Sequence, residues 1–221
     1  MAHIVVYGAG GMGKEVAEAV AAAAADGACS ALLGFVDDDP GLVGQEVLGY
    51  PVLDRGEWLD HHPEVEIVLG FGHPWRRYAT AQQLSARGLR FATIVDPRAT
   101  VSRSATIGDG TVIFAGCIVS SQAALGGLAY LNYNTLISHD AQVGDFACIM
   151  GQAAVSGEVR VGQGAFVGVG VSTRQGVRIG EWAMVGAGAV VVSDIPPLCV
   201  ALGVPARPTR FYDRPDQMPP F

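Results

Sequence analysis

The stretch "LNYNTLISHDAQVGDFAC", residues 131–148, carries Leu131, Ile137 and Val143 six positions apart, with Asn132, His139, Asp140 and Asp145 between them. The same phase runs in both directions. From Val95 the chain divides into 17 hexads without an insertion, and position one is Val, Ile or Leu in 16 of them, Thr173 being the exception. Position five is nearly always Ala, Thr, Cys or Val. Such an internal period decides a fold before local propensities do. Position five of one hexad and position one of the next lie two residues apart, so both point to one face of a strand. The four residues from position one to position five must then contain a corner. Three such edges make a coil of about 18 residues, and residues 95–196 supply between about five and six coils, whose parallel stacking completes the backbone ladder and buries an aliphatic column.

His139 and Asp140 occupy positions three and four of their hexad, at the corner, and are expected to project outward. A carboxylate beside an imidazole can orient the ring and favour its use as a base. Asn132 lies one coil edge away, where it could position a substrate, and Asp145 reads as an ordinary corner carboxylate. His139 is the only histidine in residues 95–196. That argues against a carbonic-anhydrase-type zinc site, which wants three protein ligands, and no metal is expected.

The first ninety residues have a different grain. "HIVVY" flows into Gly8-Ala9-Gly10-Gly11-Met12-Gly13 and then into the Ala-rich "KEVAEAVAAAAA". This is strand, GxGxxG turn and helix in the order a pyrophosphate site requires, with the phosphates at the helix N-terminus. "ALLGFV" predicts a second strand ending at Asp37-Asp38-Asp39, where an acid can accept hydrogen bonds from a ribose or base. "VEIVLGFG" predicts a third strand running into His73, and "RFATIV" a fourth. About ninety residues make one half of a dinucleotide fold, and no second half follows, so a nucleotide carrying something other than nicotinamide is the expected ligand.

The chain has 221 residues, 30 Gly, 16% charged residues and a formal charge of −7. There is no electrostatic footprint for nucleic acid. Cys29, Cys117, Cys148 and Cys199 are scattered without metal-ligand spacing and fit reduced thiols in a cytoplasm. The N-terminus lacks a signal-peptide pattern, and no segment has the apolar length of a membrane span, so a cytoplasmic protein is expected. Three segments follow: 1–94, an α/β half-Rossmann-like nucleotide-binding domain, which the resemblance below makes a nucleotide-sugar-binding one; 95–196, a parallel β-helix; and 197–221, a tail.

The hexads together with "FVDDD", a Gly-x-x-x-Arg segment at Gly72 to Arg76, "N…HD…VGDF", "SGEVRVG", "VGAGAVV" and "GVPAR" resemble the sialic acid O-acetyltransferase family of hexapeptide-repeat acyltransferases. That family includes N-acetyltransferases of nucleotide-linked amino sugars, of the UDP-bacillosamine-precursor and GDP-perosamine type. The resemblance implies a left-handed β-helix, acetyl-CoA as co-substrate, and a homotrimer with sites between subunits. It places the catalytic base on His139, its acidic partner on Asp140 and a substrate contact on Asn132. It places the thioester-oxygen contact near Gly157, coenzyme A near Val169 and Ala187, and a phosphate partner at Arg207. Nucleotide-sugar contacts fall on Gly10, Gly11, Met12, Asp37, Asp38 and Gly72. Members often carry a second histidine, close to the acetyl group, nine residues after the first; here that position is Cys148. The implied activity is acetyl-CoA-dependent N-acetylation of a nucleotide-linked 4-amino-4,6-dideoxyhexose for surface glycans. The alternatives are a sugar O-acetyltransferase using the same residues, and a non-catalytic nucleotide-binding assembly module.

Overall fold

The computed structural model describes residues 3–220. The N-terminal part is an α/β layer of β1 (Ile4–Tyr7), α1 (Gly11–Ala25), β2 (Leu32–Val36), β3 (Glu46–Val47), β4 (Tyr50–Leu53), α2 (Glu57–His61), β5 (Glu66–Leu69), α3 (Pro74–Ala86) and β6 (Arg90–Phe91). The sheet order is β3-β4-β2-β1-β5-β6, parallel except for the short β3–β4 hairpin. Chain order reverses between β1 and β5, the kind of switch point where the loops at the carboxyl ends of adjacent strands leave a crevice. The fully buried run Ile4–Val6 reads as a central parallel strand, covered on both faces.

The sequence "RFATIV" does not form one strand. Arg90–Phe91 pairs with Glu66–Ile67 in the α/β sheet, whereas Ile94–Val95 pairs with Val112–Ile113 in the repeat. The chain changes sheet at Ala92–Thr93 because Ile94 and Val95 have a partner eighteen residues on, which Arg90 and Phe91 lack.

From Ile94 the chain winds into a parallel β-helix with three sheets of eight, six and five strands. Each described edge strand in the repeat is two residues long and pairs with the strand one coil later: Tyr130 with Cys148, Leu136 with Ala154, Gln142 with Arg160. The inward residues Leu131 and Ile137 are 0% exposed and Val143 3%. Each such side chain contributes roughly 1.5–3 kcal/mol relative to exposure.

The corners have one backbone solution. Position four has positive φ in every hexad from Gly110 to Gly188, between 55° and 73°. Left-handed backbone favours Gly, Asn and Asp, and costs bulky residues. Leu128, Phe146 and Trp182 nevertheless take it, and they stack in one corner column facing α3. There Tyr78 meets Phe146 at 5.3 Å and Trp182 at 5.6 Å, and Trp75 meets Trp182 at 5.9 Å. Aromatic packing offsets the local strain and docks the α/β layer on the helix.

Arg77 pins that junction. Its side chain is 0% exposed and donates to the carbonyls of Leu69 (3.0 Å) and Phe71 (3.1 Å) in one domain and of Leu128 (3.0 Å) in the other, with its guanidinium over the Tyr130 ring.

Beyond Pro196 the column continues. Cys199–Leu202 pairs parallel with Met184–Val185, and Arg207–Phe211 folds back antiparallel upon it. No described helix is long and apolar enough to cross a membrane.

Candidate active site

His139 and Asp140 stand at the corner after Leu136–Ile137, with side chains 50% and 49% exposed. The imidazole Nδ1 and Asp140 Oδ2 are 2.8 Å apart. A carboxylate there holds the ring hydrogen on Nδ1 and leaves the Nε2 lone pair free to accept a proton. The backbone aims the pair: Asp140, at φ 59°, donates its N–H to the Ser121 carbonyl, and Glu158 donates its N–H to the His139 carbonyl.

One coil on, Gly157 occupies the position equivalent to His139. A Cβ on Gly157 would lie 2.5 Å from both Cε1 and Nε2 of His139, so the ring rests over bare backbone and only glycine leaves that room. The Gly157 N–H has no hydrogen-bond partner among the described residues. The base and an unspent amide donor therefore adjoin, which suits an addition that builds negative charge on a carbonyl oxygen.

Asn132 is on a different corner. Its Oδ1 accepts from the Tyr133 N–H at 2.9 Å and its Nδ2 donates to the Tyr130 hydroxyl at 3.3 Å. In the same corner column lie Val169, 50% exposed, and the exposed Ala187. They are flanked by Gly168, Gly170, Gly186 and Gly188, and a Cβ on Gly170 or Gly188 would meet nothing within 4 Å. This is an open shelf suited to an extended chain. Arg207 belongs to the strand capping that shelf: it pairs with Leu202, whose side chain packs on Gly186. Within one chain, then, the shelf and the His139 corner are separated by one sheet of the β-helix, whose paired strands expose Ile118 (47%) and Leu136 (37%).

Cys148 requires a correction. The resemblance sets it beside the acetyl group, but it is 0% exposed, lies on the sheet covered by the α/β layer, and points its thiol at the Phe146 carbonyl. Burial pushes that thiol up to about 11. Its hexad position is the outward one, and the docked domain with Arg77 covers it.

The α/β layer contributes a cleft of about 520 Å3 at the β1/β5 switch, lined by Gly8, Gly10, Gly11, Met12, Asp37, Gly70, Phe71, Gly72, His73, Arg76 and Pro220. Gly8 has φ 108°, and a Cβ on Gly13 would overlap the Gly8 carbonyl, so the turn and the helix–strand contact both need glycine. Helix α1 has no side-chain cap and no acid in its first turn, which leaves its N-terminal amides for an anion. Asp37 accepts from Ala9 N–H at 2.7 Å and Asp39 N–H at 3.0 Å, tying the two loops together.

Asp38, next to Asp37, lies outside this lining and pairs with Tyr7 and Arg55. Although partial burial works against it, those hydrogen bonds hold its carboxyl below the ordinary range. Arg76, over the Phe71 ring at 5.1 Å, and His73 also line the cleft, beyond the contacts that the resemblance assigns. Their signal was their place just after a parallel strand's carboxyl end; Pro220 had none.

An α/β domain with a glycine-turn cleft, docked on a hexapeptide β-helix with a histidine–carboxylate pair at a corner, defines a two-domain hexapeptide-repeat protein of the acyltransferase class. Residues 3–84 match the PglD N-terminal domain family. The chain superposes on a perosamine N-acetyltransferase from Caulobacter crescentus, solved with CoA and GDP-perosamine, with a TM-score of 0.87 and 30% identity over 95% of this chain and 98% of that one. The acetyltransferase domain of PglB from Neisseria gonorrhoeae, solved with acetyl coenzyme A, gives 0.85 and 33% over 94% and 98%. WeeI from Acinetobacter baumannii gives 0.84 and 25% over 95% and 100%. No curated protein matches the chain. The chain belongs to the nucleotide-amino-sugar N-acetyltransferase family.

Proposed function

We propose that this protein transfers the acetyl group of acetyl-CoA to the amino group of a nucleotide-linked amino sugar, a 4-amino-4,6-dideoxyhexose. The observation that carries the reading is the His139 ring, oriented by Asp140 and seated over Gly157. His139 Nε2 takes a proton from the sugar amine as its nitrogen attacks the thioester carbon. The Gly157 N–H meets the charge that develops on the carbonyl oxygen. The C–S bond then breaks, the amide carbonyl re-forms, and the proton held by His139 passes to the departing thiolate. No acyl-enzyme is needed, since Cys148 is buried away from this corner.

The nucleotide lies in the glycine-turn cleft, with its diphosphate against the α1 N-terminus and Arg76. Coenzyme A lies along the Val169–Ala187 shelf, with Arg207 as a phosphate partner. Because that shelf and His139 occupy different corners of one chain, the site closes between neighbours, and the protein works as a homotrimer whose contact includes Ile118 and Leu136. A cytoplasmic role in surface-polysaccharide precursor synthesis fits this chemistry.

Thiol release over UDP-, GDP- and dTDP-linked amino sugars, with mass spectrometry of the product, tests the reading. Acetyl on nitrogen is the expected outcome. Acetyl on a hydroxyl would establish the O-acetyltransferase instead, and no turnover with any acceptor would leave the assembly module.

A further inference from the structure

The polypeptide after the capping strand crosses from the end of the β-helix to the nucleotide cleft. Tyr212 begins the crossing: its N–H donates to the Leu198 carbonyl at 3.0 Å, and its hydroxyl donates to the carbonyl of Trp182, whose ring packs on α3. A short 3-10 turn, Pro215–Gln217, follows, and Met218 is then buried at 4% exposure. The backbones of Met218 and Pro219 hydrogen-bond the His73 side chain. Proline has no N–H, and the Met218 N–H already donates to the Pro215 carbonyl at 3.1 Å, so carbonyl oxygens are the backbone groups that this segment offers to the His73 ring. His73 is also the residue that opens α3. Beyond this latch, Pro220 lines the cleft with Phe71 and the glycine turn.

The cleft therefore has two unlike sides. Amides at the α1 N-terminus and Arg76 suit a diphosphate, while Phe71 and Pro220 present apolar surface suited to the flat face of a base or ribose. A proline wall is rigid before the ligand arrives, so little conformational freedom is lost on binding. We propose that Pro220, held in place by the His73 latch, is a specificity-determining wall of the nucleotide site: it packs against the nucleoside and sets which nucleoside the enzyme accepts. His73 acts through Pro220 as a positioning residue. This rests on the reading of the cleft as a nucleotide site.

The test is calorimetric titration of UDP, GDP and dTDP, each alone, into the full-length protein and the variants Pro220→Gly, His73→Ala and His73→Gln, with coenzyme A titrated in parallel. Met218 is buried, so point variants are preferred to removal of residues 218–221, and thermal melting checks their fold. Pro220→Gly and His73→Ala should weaken the preferred nucleotide by about tenfold, the scale of one or two apolar contacts. They should also narrow the preference among the three while coenzyme A affinity holds, and His73→Gln, which keeps a donor, should recover part of the loss. Wild-type affinity and ranking in both variants, or a parallel fall for coenzyme A, would overturn the wall and leave the nucleotide site standing. Binding of none of the three by the wild-type protein would overturn both.

Discussion

The imidazole of His139 lies over the bare backbone of Gly157, one coil further along, so near that a methyl group on Gly157 would sit 2.5 Å from Nε2. The glycine is thus part of the base's environment without touching any bond of it. Gly157→Ala should keep the fold, because the position is a corner rather than a strand. It should lower kcat by at least about tenfold, since a misplacement near 1 Å can cost 10² in rate. A normal melting temperature with unchanged kcat would remove Gly157 from the site.

His139→Ala should reduce thiol release by about 10²–10⁴-fold, the range of general base catalysis, while coenzyme A still binds. Full turnover in this variant would end the proposed mechanism.

Asp140→Asn leaves a side chain that can still meet Nδ1 but no longer requires a hydrogen there. The ring loses its enforced tautomer, and kcat should fall by about tenfold or more with KM for either substrate little changed. A change confined to KM would mean that Asp140 contacts substrate instead of orienting the ring.

Arg77→Met should destabilise the protein by about 2–4 kcal/mol, read by urea or thermal unfolding, because three carbonyls lose a buried charged donor. Arg77→Lys should not restore it, since a single ammonium lacks the planar fork. Stability equal to wild type in the Met variant would show that the domain junction does not depend on this pin.

Cys148 should resist alkylation at pH 8. Burial holds its thiol neutral up to about 11 and blocks access. The sign follows from the raised value: at any pH below it the folded protein keeps the proton, and reactivity appears only on unfolding. Rapid modification of Cys148 in the native protein would return it to the acetyl site.

The hexad phase made the β-helix legible, because period-six burial repeats in every coil and Leu131, Ile137 and Val143 are inward as their spacing requires. The corner placement of His139 and Asp140 was legible for the same reason. Within the α/β layer the glycine turn was legible from its order with strand and helix, and Gly10, Gly11, Met12, Asp37 and Gly72 do meet around one cleft. The pairing of Asp38 was not legible, because Tyr7 and Arg55, its partners, lie 31 and 17 residues away.

What the sequence determined by itself was everything governed by local period: the coil length, the inward column, the strand–turn–helix of the cleft, and the corner that carries the base. What only the tertiary structure decided were the meetings of distant segments. The α/β layer covers Cys148, Arg77 bridges two domains, Pro220 reaches the glycine turn, and the Asn132 shelf stands a corner away from His139. A repeat specifies which face each residue presents, since that depends on backbone geometry within a few residues. It does not specify what packs against that face, which depends on burial and hydrogen bonding between segments that no local pattern connects.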